Sequence, residues 1–252
     1  MIELYHWEPN AASARVLIAL EEKGVKFESR YLDVLAFEQF APAFLDLNPF
    51  GQVPLLVDDE DVYSEASYIC EYLDEAYPDP PLLPERPLDR WAARGWQKYV
   101  DDYLAAAVSD LAWPALGLPV LRARNSAAVL EEAVARIPVK ERRDQWQAAV
   151  GETDPEVLDK ARERIRLALE KTEADLAERD WLAPGGYSLA DIAAYPYLAY
   201  LPRIGADMPG PRTTAWLARM AARPAVKAAE AASRTGEPYG TSAPGPEHIR
   251  WG

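Results

Sequence analysis

Polar and apolar positions follow two rhythms along this chain. In the first 84 residues, short strand-like runs interleave with helical periodicity. Residues 2–7 alternate weakly and read as a strand. Residues 13–22 follow a helical pattern, with Val16, Ala19 and Leu20 on one face and Gly24 where a helix stop belongs. Residues 26–32 read as a second strand and 37–47 as a weak helix. The apolar runs 55–57 and 62–63 flank the acidic turn Asp58-Asp59-Glu60-Asp61, the pattern of a hairpin. Residues 65–76 form a helix with Ile69, Tyr72 and Leu73 on one side. The order β-α-β-α-β-β-α begins with a unit that implies a parallel strand pair and a right-handed crossover.

The rhythm then breaks at Pro78, Pro80, Pro81, Pro84 and Pro87, read as a domain joint. Beyond it the periodicity is helical, over 89–108, 129–135, 140–149 and 154–177, with two more helices from Leu189 and Thr213. Ser188-Leu189-Ala190-Asp191 is a capping box, with Tyr187 and Ile192 placed as its hydrophobic staple. It signals a buried helix start, not chemistry. The expected organisation is α/β followed by all-α: one domain over 1–80, a helical domain over 88–235 and an irregular tail over 236–252.

Composition narrows the class. A chain of 252 residues that is 49% hydrophobic and 27% charged belongs to a globular protein. No apolar run approaches the roughly 20 residues of a membrane span, and the first residues lack the basic region of a secretory signal. One cysteine excludes an intrachain disulfide and a CxxC pair; a reducing cytoplasm is the expected compartment. The net charge is −14. Up to Pro84 four basic residues face seventeen acidic ones; the remainder carries 23 basic and 24 acidic. No basic patch exists for a nucleic acid.

Two segments carry candidate chemistry. In Asn48-Pro49-Phe50-Gly51-Gln52-Val53-Pro54, a Pro stands at the mouth of a strand, where it cannot donate to a ladder. A cis Val53-Pro54 bond turns the chain and leaves the Val53 backbone able to pair with an extended peptide. An ordinary Pro-containing turn explains the heptapeptide equally well. Ser64-Glu65-Ala66-Ser67 opens a helix whose free N–H groups favour a carboxylate, while Glu65 can pair with an ammonium. Routine capping is the plainer explanation until its place directly after the hairpin is considered.

Together, the run from Arg15 to Gly24, Asn48 to Pro54, Glu65 with its helix and Ser188 to Asp191 resemble the cytosolic glutathione transferase family over nearly the whole chain. The resemblance implies a thioredoxin-like N-terminal domain, an all-helical C-terminal domain, glutathione as co-substrate and a homodimer. It assigns the cysteinyl backbone of glutathione to Val53 before cis-Pro54. The γ-glutamyl end falls to Glu65 and the Ala66 N–H, and the glycyl end to Gln39 and Gln52. Ala66 stands where the family usually has Ser, which implies weaker binding. Arg15, or a basic residue of the helical part or of a partner subunit, is expected to offset the acidity around a ligand with two carboxylates.

The thiol needs activation, since a free thiol has a pKa near 8.5. Aligned on Arg15-Val16, the family's Ser or Cys position falls on Asn10, and Ser13 is the nearby hydroxyl. Ser13 serves equally well as an N-cap. Cys70, mid-helix, reads as a buried hydrophobe. Phe37-Glu38-Gln39, Ile69 to Leu73, Tyr99 to Tyr103, Ile137-Pro138 and Gln145-Trp146 are similar to the bacterial β-etherases that cleave lignin-derived aryl ethers. Such an enzyme wants an aromatic cleft, and Trp7, Trp96, Tyr99, Tyr103, Trp113 and Trp146 are available; core packing is the competing role. The alternative to an enzyme is a non-catalytic module that keeps the fold. A disulfide reductase acting through Cys70 is a third reading.

Overall fold

The computed structural model describes residues 1–239. The expected tail falls largely outside them: 236–239 carry no helix or strand, and 240–252 lie beyond the described residues. Four strands, β1 (Ile2–His6), β2 (Phe27–Tyr31), β3 (Leu55–Asp58) and β4 (Asp61–Ser64), form one sheet in the order β2-β1-β3-β4. β1 and β2 are parallel, whereas β3 runs antiparallel to both β1 and β4. Asp58 pairs with Asp61 across the hairpin turn.

Between β1 and β2 runs α1 (Ala11–Lys23), closed by Gly24 in the left-handed region at φ 62°. α1 packs against three other helices: α3 (Ala66–Ala76), α10 (Leu189–Leu198) and α12 (Pro224–Ala231). Hence its run from Val16 to Leu20 is buried on every side and not along one stripe. The weak helix expected over 37–47 is broken. Phe37 sits at φ 62° between two 3₁₀ turns, and only α2 (Pro42–Leu45) is α-helical.

The helical half begins with α4 (Pro87–Tyr99), α5 (Ala105–Ala112) and α6 (Leu118–Arg124), joined through π-helical segments Val100–Leu104 and Trp113–Gly117. This continuous run of 38 residues contains an 18-residue window apolar enough to cross a bilayer by length and composition. The sequence reading passed over it. Sixty-one per cent of that window is buried inside the fold, as for a core helix. α7 (Ala127–Ala135), α8 (Lys140–Ala149), α9 (Pro155–Asp175) and α11 (Pro211–Ala222) complete the layer, with α5 packed against α9 and α10 against α4.

The Pro-rich joint is pinned in place. Asp74 accepts hydrogen bonds from the Leu82 and Leu83 N–H groups at 2.6 and 3.1 Å and from the Lys23 ammonium at 2.5 Å. Leu82 C=O accepts from Leu189 N–H at 2.8 Å, which ties the joint to the start of α10. There the capping box closes: Ser188 N–H donates to Asp191 Oδ2 at 3.0 Å, and Ser188 Oγ accepts from Ala190 N–H. Asp191 Oδ1 also takes Leu182 N–H and Trp216 Nε1–H, at 3.0 and 2.8 Å.

Candidate functional site

A cleft of about 430 Å³ opens between the sheet half and the helical half, a size suited to a small ligand. Its walls include Val53, Pro54, Glu65 and Ala66 from one side and Asn10 and Ser13 from another. Gln52 lines it as well. The Val53-Pro54 bond is cis. Neither the N–H nor the C=O of Val53 has a backbone partner among the described residues, so this edge can receive an extended ligand.

Gly51 makes the approach possible. It sits at φ +63°, and a Cβ there would lie 2.6 Å from the Phe40 ring. Gln39 is close by, since its C=O lies 3.0 Å from that same point, but Gln39 does not line the cleft. It is fully buried, and its amide nitrogen and oxygen have no partner among the described residues. The structure therefore brings seven of the eight expected residues together and leaves Gln39 behind the wall.

Opposite Val53, α3 begins without a side-chain cap, and Glu65 before it adopts φ 67°, ψ 114°. A positive φ at a non-glycine residue is a strained conformation that its surroundings must hold. The cleft side of this helix start presents open N–H groups and the positive end of the dipole. Burial raises the Glu65 pKa, with the Asp101 charge adding to it and Arg142 and Arg15 opposing. A cationic group bound between Glu65 and Asp101 would offset both effects.

Arg15 does not face the cleft as a free cation. Its guanidinium is buried and donates to Asp101 Oδ1 at 2.5 Å and to Ser67 Oγ; the Ser67 hydroxyl in turn donates to Asp101 Oδ2. Burial alone would lower the Arg15 pKa, but the charge of Asp101, its hydrogen bond and the neighbouring Tyr197 and Cys70 together outweigh it and the group stays protonated. Tyr197, fully buried on the cleft wall, is pushed up to about 12 by desolvation. Asp101, Ser67 and Tyr197 escaped the sequence reading because they meet only through contacts between the two halves. Arg94 and Lys98 of α4 supply basic groups from the helical half. Arg94 chelates Glu71 at 2.8–3.1 Å, and Lys98 pairs with Asp102 at 2.5 Å.

The activation candidates lie at the start of α1. Asn10, not Ser13, is the N-cap, and its side chain caps nothing; its Nδ2–H donates to the Pro238 C=O at 3.0 Å. Ser13 sits inside the first turn. Its Oγ accepts from the Trp7 N–H at 3.3 Å, which leaves the hydroxyl proton for another acceptor. The expected aromatic cleft is largely absent from the described residues. Of the six aromatics only Trp7 lines the cavity. Trp146 is fully buried against Phe37 and Trp113, while Trp96 and Trp113 donate to Asp175 and the Ala149 C=O. Tyr99 and Tyr103 pack against each other with their rings tilted by 32°. Cys70 is 1% exposed, with desolvation pushing its thiol up to about 12, which removes it from thiol exchange.

Comparison with known proteins decides the family. Residues 11–76 match the glutathione S-transferase N-terminal domain, and residues 106–224 match its C-terminal domain. The chain belongs to the glutathione S-transferase family. Glutathione is the co-substrate of this family, and the chain is a transferase of that kind. It is 35% identical to Protein LigF of Sphingobium sp. (strain NBRC 103272 / SYK-6) over 90% of its own length and 91% of LigF. The crystal structure of Beta-etherase LigF from the same strain superposes with a TM-score of 0.85 at 34% identity, covering 92% of this chain and 99% of that one. Glutathione S-transferase F10 of Arabidopsis thaliana is 28% identical over 76% of this chain and 77% of its own. A glutathione transferase homolog from sulfitobacter, solved with bound glutathione, shares the fold at a TM-score of 0.69 and 21% identity, with 92% and 97% covered.

Proposed function

We propose that the cleft holds glutathione between the Val53-Pro54 edge and the start of α3, and that its thiolate displaces a phenoxide from a carbon beside a ketone, cleaving a β-aryl ether. The convergence of a free strand edge and an uncapped helix start on one cleft carries the binding part of this reading. Similarity to LigF supports the ether chemistry. Val53 pairs with the cysteinyl backbone, Glu65 and Asp101 face the ammonium, and the Ala66 N–H receives the γ-glutamyl carboxylate. Gln52 is the polar group left for the glycyl end.

At neutral pH only a few per cent of a free thiol is ionised. The Ser13 hydroxyl donates to sulfur and stabilises the thiolate, helped by the positive end of α1. In the transfer step the thiolate forms a C–S bond as the C–O bond breaks, and the electron pair leaves on phenoxide. The thiol proton goes to solvent, and the phenoxide is protonated from it. The sequence at the lone buried Cys70 fits a reducing cytoplasm. A homodimer is the assembly we propose; exposed Tyr68 on α3 and exposed Leu88 and Trp91 on α4 are apolar groups such a contact would cover.

Calorimetric titration with glutathione and turnover of a phenacyl aryl ether test the reading. Binding with turnover is the expected result. Binding without turnover of the ether or of any other electrophile would leave a binding module, and no binding at millimolar glutathione would end the proposal.

A further inference from the structure

The loop that precedes α1 is held from the far end of the chain. Glu8 is 1% exposed and makes no ion pair among the described residues. Its carboxylate is instead saturated by four hydrogen bonds. Tyr31 Oη donates to Oε1 at 2.8 Å and Ser233 Oγ to Oε2 at 2.5 Å. The Arg234 N–H reaches Oε1 at 3.2 Å and the Thr235 hydroxyl reaches Oε2 at 3.3 Å. Three of the four donors belong to the segment after α12, more than 220 residues away.

The same segment is fastened at both sides of Glu8. The Arg234 guanidinium lies 4.0 Å above the Tyr31 ring, and the Tyr239 ring meets Tyr200 edge-on at 5.3 Å. Between these anchors the Pro238 C=O accepts the Asn10 amide. The loop beneath is strained and tightly turned: Asn10 N–H bonds to Glu8 C=O at 2.7 Å, and Ala11 adopts φ 45°. Strained backbone persists only where its surroundings over-determine it. A buried carboxylate without a cation costs several kcal/mol relative to an apolar residue, so plain packing gives no reason for Glu8.

We propose that Glu8 is a positioning residue: by anchoring segment 233–239 it holds Asn10 and the turn into α1, and so sets the Ser13 hydroxyl against the glutathione sulfur. This rests on the glutathione reading above. Glu8 does not line the cleft, so it acts through the loop and not on the ligand. The segment is part of the working site even though it contributes no group to the sulfur.

Two variants test it in the full chain: Glu8→Gln, and the double change Ser233→Ala/Thr235→Ala, whose side chains sit near or at the surface and leave the core intact. Ultraviolet absorbance of the bound thiolate is followed against pH, alongside glutathione affinity, kcat and KM for an aryl ether, and amide exchange of 233–239. Both variants are expected to expose the segment to exchange and to lower kcat about tenfold with KM nearly unchanged. The pH at which bound thiol ionises should rise. A folded double variant whose segment exchanges freely while thiol ionisation and kcat stay at wild-type values overturns the proposal. Failure of wild-type protein to bind glutathione would defeat the underlying reading instead.

Discussion

Two helices of this protein begin in opposite ways. At the start of α10 every donor is met: Ser188 and Asp191 cap each other, and Asp191 also receives Leu182 and Trp216. At the start of α3 there is no side-chain cap, and Glu65 is held in a strained conformation facing the cleft. Both sites use a helix N-terminus and an acidic side chain. One uses them up inside the fold; the other leaves them uncapped beside the cleft. The distinction between a structural and a functional helix start lies in which donors are already satisfied.

Substitutions sharpen that contrast. The largest expected effect is at the neighbouring helix start of α1, where Ser13→Ala should lower kcat by about 10²–10³, the usual loss when one donor to a developing or stabilised anion is removed. Steady-state kinetics on an aryl ether checks it, with glutathione affinity held. Asn10→Ala should cost less, because its amide N–H is already engaged by the Pro238 C=O. Glu65→Ala should weaken glutathione binding by about 30-fold or more, since truncating a buried partner of a charge pair costs about 2 kcal/mol upward. Thermal stability should hold in that variant, and calorimetry separates the two.

Ser188→Ala reverses the outcome. It should cost about 1–2 kcal/mol of stability by chemical denaturation, with glutathione affinity of the folded protein unchanged. Ala66→Ser restores a hydroxyl at the open helix start. It should tighten glutathione by about two- to tenfold, the worth of one hydrogen bond.

A further effect is a slope. Burial pushes the Asp191 carboxyl up to about 6, against the hydrogen bonds it accepts. An unfolded aspartate ionises near 3.9. Between these values the native state binds more protons than the unfolded state, so the Asp191 contribution falls as pH rises from about 4 to 6. Stability curves of wild type and Asp191→Asn should therefore converge with rising pH across that window. Parallel curves would remove Asp191 as the source.

Local chemistry made much of this legible from the residues alone. Gly24, the Asp58–Asp61 hairpin, the capping box and the cis Val53-Pro54 bond are all set within a few residues of sequence. What escaped is non-local. Arg15 was expected to serve a ligand, but Asp101, 86 residues away, takes its charge. The β-etherase resemblance suggested an aromatic cleft, yet Trp146 and Trp113 pack on each other because large rings fill gaps between helices. The periodicity over 89–108 ran through the π segment at 100–104 without marking it, and the one at 113–117 fell outside every expected helix. The return of the C-terminal segment to Glu8 leaves no periodic trace at all. Ser13 lines the cleft but sits inside the first turn of α1 and not at its cap, which Asn10 occupies.

The central claim is that the uncapped start of α3 is kept open for glutathione. Parallel calorimetric titrations of wild type, Glu65→Ala and Ser188→Ala test it most directly. Binding is predicted in wild type and Ser188→Ala, with a loss of about 30-fold or more in Glu65→Ala. Equal affinity in all three proteins, or no binding by wild type at millimolar glutathione, would contradict it.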